Sequence, residues 1–254
     1  MTPTADATTQ DTTALTDATA RTDAAGGPSP NPDDAITGAR RRSLTLGAAA
    51  REFWRHPSPW IISSALAAAG TARALTAGWT WVDALVPILI LASFPFVEWI
   101  LHVTVLHFRP HQVGPVTLDM YAAKKHRAHH ADPRDIPLVF IPARVLIGLL
   151  GIYTLAVFYV FPRVSMGLTF LATMAAMGMI YEWTHYLVHT DYRPKTAAYR
   201  AVWRHHRLHH YKNENYWFTV TTAHTSDRIL RTDPDPSTVP TSPTALNLHA
   251  LNDA

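Results

Sequence analysis

Ten of the chain's 15 histidines fall in four closely spaced sets: His102 and His107; His126, His129 and His130; His185 and His189; His206, His209 and His210. A single histidine is more often a solvated or capping residue than a ligand, so the signal is the spacing. Residues three or four apart share one face of a helix. His126 with His129 and His130, His185 with His189, and His206 with His209 and His210 can therefore each turn imidazoles toward a common point. His102 and His107 are five apart and diverge by ~140° on a regular α-helix. They converge only near a helix end, or else serve different ions. Imidazole suits iron, zinc, copper and nickel, and one ion rarely takes more than five or six protein ligands. Ten candidate ligands thus point to two metal ions, and spacing does not assign each ring to one or the other.

The chain contains no cysteine, which excludes disulfides, zinc fingers, thiolate-ligated haem and cysteine-held iron–sulfur clusters. Any metal must be held by nitrogen or oxygen. Two carboxylates stand close to the sets: Glu182 lies three residues before His185, and Glu98 four before His102. A ferritin-like di-iron bundle needs an ExxH from each of two helices and a glutamate from each of two others. Only Glu182 with His185 matches that pattern. Glu98 and Glu182 are instead expected to hydrogen-bond ligand imidazoles and fix their tautomer and orientation; the alternative is that they reach to a membrane interface.

The elements that carry these rings are apolar. Runs long enough, or nearly so, to cross a bilayer extend over Pro59–Gly78 (interrupted by Arg73), Trp81–Leu106 (interrupted by Glu98), Val145–Phe161 and Met166–Trp183, a crossing helix needing ~20 apolar residues. The last two lack the polar face that a helix of a soluble bundle shows. Short connections at 78–80 and 162–165 pair the runs into two hairpins. Arg40, Arg41, Arg42, Arg51 and Arg55 precede the first run, Lys124, Lys125, Arg127 and Arg134 lie between the hairpins, and Arg200, Arg204, Arg207 and Lys212 follow the last. By the positive-inside rule both termini and the central loop are cytoplasmic. The expected fold is all-α and integral to the membrane: four transmembrane helices in two hairpins under a cytoplasmic, helical, histidine-rich cap. The net charge of +3 follows from this topology, and no nucleic-acid partner is expected. Residues 1–38 are rich in Thr, Ala, Asp, Gly and Pro, and 233–254 in Pro, Thr, Ser and Asp; both are expected to be disordered tails flanking a membrane domain over 39–232.

Four stretches carry a family resemblance: His102 to His107, KKHRAHHADPRDIPLVFIP from Lys124 to Pro142, YEWTHYLVH from Tyr181 to His189, and WRHHRLHHYKNENYWFTVT from Trp203 to Thr221. Together they resemble the fatty acid hydroxylase and sterol desaturase superfamily, and the HHYKN string at His209 to Asn213 most resembles its fatty acid 2-hydroxylase branch. The resemblance implies a di-iron centre that uses O2 and electrons to oxidise an unactivated lipid carbon, with zinc able to replace iron. It places the ligands on His102, His107, His126, His129, His130, His185, His189, His206, His209 and His210, and leaves His205 and His224 outside the set, with His224 a candidate for lining the site. Relatives usually continue past the last set to a Trp-Asp pair and a Gly-Thr ending; this chain reads TTAHTSDRILRT from Thr221 to Thr232. Some relatives carry a haem domain with a His-Pro-Gly-Gly motif. Here only His56-Pro57-Ser58-Pro59 occurs, so a separate donor of the ferredoxin or cytochrome type is expected to supply electrons.

The leading expectation is fatty acyl 2-hydroxylation, with sterol desaturation and carotenoid hydroxylation as related chemistries. A metal-storing or metal-transporting membrane protein would need ligands at mid-membrane, where the sequence places none. A bis-histidine cytochrome would need two rings on facing helices and would leave the other eight unexplained.

Overall fold

The computed structural model describes residues 44–250; the tail expected over 1–38 lies outside the described residues. Helix α1 (Leu46–Phe53) is capped by the Thr45 side chain, which accepts from Ala48 N at 3.2 Å. It leads into α2 (Pro57–Leu75), which starts on a proline and so uses a residue whose missing N–H would have no helical partner. Helix α3 (Trp81–Leu101) follows and continues into a π turn over His102–Leu106. An exposed antiparallel hairpin, β1 (His111–Val113) with β2 (Val116–Leu118), comes next. It is a small departure from the expected all-α fold. Helices α4 (Tyr121–Ala131), α5 (Ile136–Val139), α6 (Ala143–Tyr159), α7 (Val164–His189), α8 (Ala197–Tyr211) and α9 (Thr225–Ile229) complete the order, before a short 3-10 turn at Leu248–Ala250.

Among the described residues, three helical segments are long and apolar enough to cross a membrane: Trp81–Leu106, Ile136–Tyr159 and Val164–His189. Their outward faces carry exposed Ile88, Leu89, Ile147, Ile152, Leu155 and Phe158. Such apolar surface suits lipid and not water, and it marks an integral membrane protein. The fourth expected span, α2, is shorter and holds Arg73 near its end, where the guanidinium is buried. Arg73 pairs with Asp83 at 3.2 Å, donates to Thr169 Oγ1 at 2.9 Å and stacks on Trp79. Asp83 also accepts from Thr80 N at 2.8 Å, so one carboxylate caps α3 and neutralises the cation of α2.

Helix α7 is the spine. It packs along α2 and against α3 and α6. Its hairpin with α6 is tight because a Cβ on Gly167 would lie 2.7 Å from Val157 Cα, so only glycine permits this backbone approach. With 26 residues, α7 is ~39 Å long at 1.5 Å rise, longer than a hydrocarbon core of ~30 Å. Its length is enough for the last turns, which bear His185 and His189, to reach past such a layer. The segment from Trp81 to Leu106 has the same length and carries His102 near its own end.

The expectation of a disordered tail from residue 233 onward does not hold through residue 250. Val239, Ala245 and Leu248 are buried, and Val239 packs with Leu208 and Trp217. Ser242 N donates to Lys212 O at 2.7 Å, and the Ser242 and Thr244 hydroxyls bind Glu214. Composition misled here because small polar residues can satisfy a neighbouring helix end as well as they can solvate a loose chain.

Candidate metal centre

The ten histidines singled out from sequence converge. They form two groups of five: His102, His107, His126, His130 and His209 in one pentad, and His129, His185, His189, His206 and His210 in the other. Nitrogen atoms within each group lie within 4.8 Å of one another, and every ring but the half-buried His107 is buried. The pentads adjoin: the ring centroids of His130 and His210, one from each, are 4.3 Å apart.

Helical phase explains the division. On α4, His126 and His130 turn to the first pentad while His129 turns to the second; on α8, His206 and His210 serve the second and His209 the first. Members four apart stay together and the member three along from the first looks the other way, so each triplet spans two points and not one. The ends of α7 and of the α3 segment each give two rings to a single pentad. For His102 and His107 the π turn is the means: His107 N donates to His102 O at 2.9 Å, an i to i+5 bond that brings residues five apart onto one side.

The inward atoms of the first pentad are all Nε2. His102 and His126 lie 3.0 Å apart, His126 and His130 3.2 Å, His130 and His209 3.2 Å, and His209 and His107 3.2 Å. In the second pentad His189, His206 and His210 are linked at 3.1 and 3.0 Å. Two imidazoles bound at right angles, each ~2.1 Å from one ion, would sit ~3 Å apart. The protons are committed outward: Nδ1 donates to Phe218 O from His102, to Ala245 O from His130 and to Tyr216 O from His209, at 2.5, 2.9 and 2.8 Å. Burial takes His130 down to about 4, and burial with neighbouring rings pushes His209 well below the ordinary imidazole range. Both rings are neutral near pH 7, so the facing Nε2 atoms of His130 and His209 are bare lone pairs. His129 has both ring nitrogens buried without a hydrogen-bond partner. Lone pairs in contact and orphaned ring nitrogens fit a cation in each pentad, with donors that suit iron or zinc.

The loop after α8 holds this arrangement. Trp217 is buried with a left-handed φ of 57°, a conformation costly for an aromatic residue. Its two neighbours supply the carbonyls that receive His209 and His102. Four successive amides leave this loop toward two carboxylates: Phe218 and Thr219 donate to Asp227, Val220 and Thr221 to Glu98, all between 2.7 and 3.0 Å. Asp227 also accepts from His205 Nε2 at 3.0 Å.

This corrects the expected role of the two glutamates. Among the described residues neither hydrogen-bonds an imidazole: Glu98 braces the loop, and Glu182 accepts from Ile141 N at 3.0 Å. The sequence reading missed Asp227, whose partners come from residues 205–232 and follow no short spacing. The segment that departs from the family's usual ending is thus tied down through Asp227.

A cavity of about 240 Å³ runs between the helices beneath the rings. Its walls are apolar apart from Glu98, His102, Tyr153 and Tyr181. A smaller one, about 60 Å³, touches His126, His129 and His185 together with Lys125, and shares Leu106, Ala122, Ile141, Val145 and Tyr181 with the larger.

An apolar helical frame with two histidine pentads at one end of its spanning segments, above an apolar cavity, defines the class as a membrane protein built to hold metal. Residues 87–232 match the fatty acid hydroxylase family model, and the chain belongs to that family, which acts oxidatively on lipids with metal. No curated protein and no solved structure matches it.

Proposed function

We propose that the protein is a di-iron membrane oxygenase that hydroxylates a lipid acyl chain near its carboxyl end, as a fatty acid 2-hydroxylase does. The observation that carries this reading is the contact of both pentads with one small cavity, through His126 on one side and His129 and His185 on the other, continuous in its walls with an apolar cavity among the helices. The ten pentad histidines would hold the two ions. When bound, these would supply the reduction of O2 that C–H cleavage requires: one oxygen atom enters the C–H bond, the other leaves as water, and two electrons and two protons come from a separate donor protein.

The chain's own residues do the rest. The apolar walls take the alkyl chain out of the bilayer and exclude water from the reacting carbon. Lys125, the cation lining the small cavity, stands where a carboxylate or phosphate head group would lie. The carbonyls of Tyr216, Phe218 and Ala245 keep the three outer protons away from the ions and orient the rings. The topology we favour has α2 as a fourth span, both termini and the pentads on the cytoplasmic side, and a domain beginning near residue 39. The basic residues at 51, 55, 124, 125, 127 and 134 support it.

The test is lipid mass spectrometry of cells with and without the protein. A product heavier by ~16 mass units, for the one oxygen atom that an O2-dependent hydroxylase inserts, is expected. A product lighter by two hydrogens would replace hydroxylation with desaturation, and an unchanged lipid profile would refute both.

A further inference from the structure

The geometry points to a third divalent-metal site, outside both pentads, formed by His205, His224 and Asp233. A ring nitrogen of each histidine and a carboxylate oxygen of Asp233 lie within 4.8 Å of one another. Two imidazoles and one carboxylate make a donor set that suits Zn2+ or Fe2+ and leaves positions for water.

His205 is the telling member. Its side chain is wholly buried, and its Nε2 is taken by Asp227 at 3.0 Å. Its Nδ1 has no hydrogen-bond partner and faces Asp233 Oδ1 across 3.8 Å. A buried, unpartnered nitrogen aimed at a carboxylate oxygen, at a distance too long for a hydrogen bond, leaves a gap that a cation bridges. The outer carboxylate on the far ring nitrogen is the arrangement that commonly orients a metal-bound histidine.

His224 completes the site from the other side. Its backbone is left-handed, with φ 71°, and this turn brings Nδ1 to 2.6 Å from Asp233 Oδ2. Arg228 Nε donates to the same oxygen at 3.1 Å, so Oδ1 is the atom left for an ion, and the nearby guanidinium makes this site weaker than the pentads. The His224 side chain is 37% exposed, so an ion can arrive from solvent. Bound there, it would join α8 to the 222–233 segment that carries Asp227.

The experiment counts zinc on protein purified in detergent, equilibrated with rising Zn2+ and freed of excess by gel filtration. His224→Asn removes the imidazole but tolerates the left-handed backbone; Asp233→Asn removes the carboxylate. Both variants keep all ten pentad rings, so the difference in count reports the outer site whatever the pentads hold. The wild type is expected to bind one zinc per chain more than either variant. Equal counts in all three would overturn the proposal, and they would do so without bearing on the oxygenase reading.

Discussion

Glu98 and Asp227 divide four consecutive backbone amides between them, those of residues 218 to 221, and so clamp one loop from two sides. That loop presents the carbonyl of Phe218 to His102 and that of Tyr216 to His209. A carboxylate in a membrane-crossing helix thereby fixes a ring it never touches.

Glu98→Gln should weaken this clamp, because a neutral amide oxygen accepts the two N–H bonds less strongly than a carboxylate and the NH2 end would face the Thr221 hydroxyl, which now donates to Oε2. A loss of ~1–2 kcal/mol in stability is expected from exchanging hydrogen bonds to a charged group for weaker ones to a neutral amide. Thermal unfolding in detergent checks it, together with metal content, which should fall as His102 loses its support. Unchanged values of both would show that the loop holds itself.

Neighbouring rings on one helix turn should serve different ions. His126→Ala and His129→Ala, three residues apart on α4, should each remove about one of the two ions proposed for the pentads, and the double variant should remove both. Metal analysis of purified protein measures this. If the single variants lost both ions, the pentads would be one cooperative cluster.

Acid should unfold the metal-free protein. Burial first, then neighbouring rings, holds His126, His129, His206 and His210 well below the usual imidazole range. An unfolded imidazole titrates near ~6.5, so below that pH the unfolded chain binds more protons than the folded one, and stability falls as pH falls. Each such ring costs up to ~1.4 kcal/mol per pH unit between its folded and unfolded values. The unfolding midpoint of chelator-treated protein should drop steeply from pH 7.5 to 5.5, and restored metal should oppose the drop. A flat profile would mean the rings are solvated.

Chain length should follow the cavity. Gly178 lines it, and a Cβ there would meet Ile62 only at 3.9 Å, so Gly178→Ala should be nearly silent. Gly178→Leu would fill part of the cavity and should shift products toward shorter acyl chains, each excluded methylene weakening binding by ~0.8 kcal/mol. Product profiles from cells bearing each variant decide it; identical profiles would place the substrate elsewhere.

Much of this protein could be read from residue types and spacing. The ten rings, the lack of thiolate chemistry and the apolar spans each follow from local pattern, because helical periodicity and span length are set by a few adjacent residues. What spacing could not give was the partition. His129 parts from His126 and His130 because of the rotation at which α4 meets the ends of α3 and α7. His102 and His107 meet because the helix loosens into a π turn, which no propensity marks. Asp227, the outer site at His205, and the packing of Val239 to Leu248 arise from residues brought together by the fold across stretches with no common period. Sequence determined that ten imidazoles with metal-ligand spacing would be carried on an apolar, membrane-spanning helical frame. Only the tertiary structure decided which five face which point, because that depends on the relative rotation of helices distant along the chain.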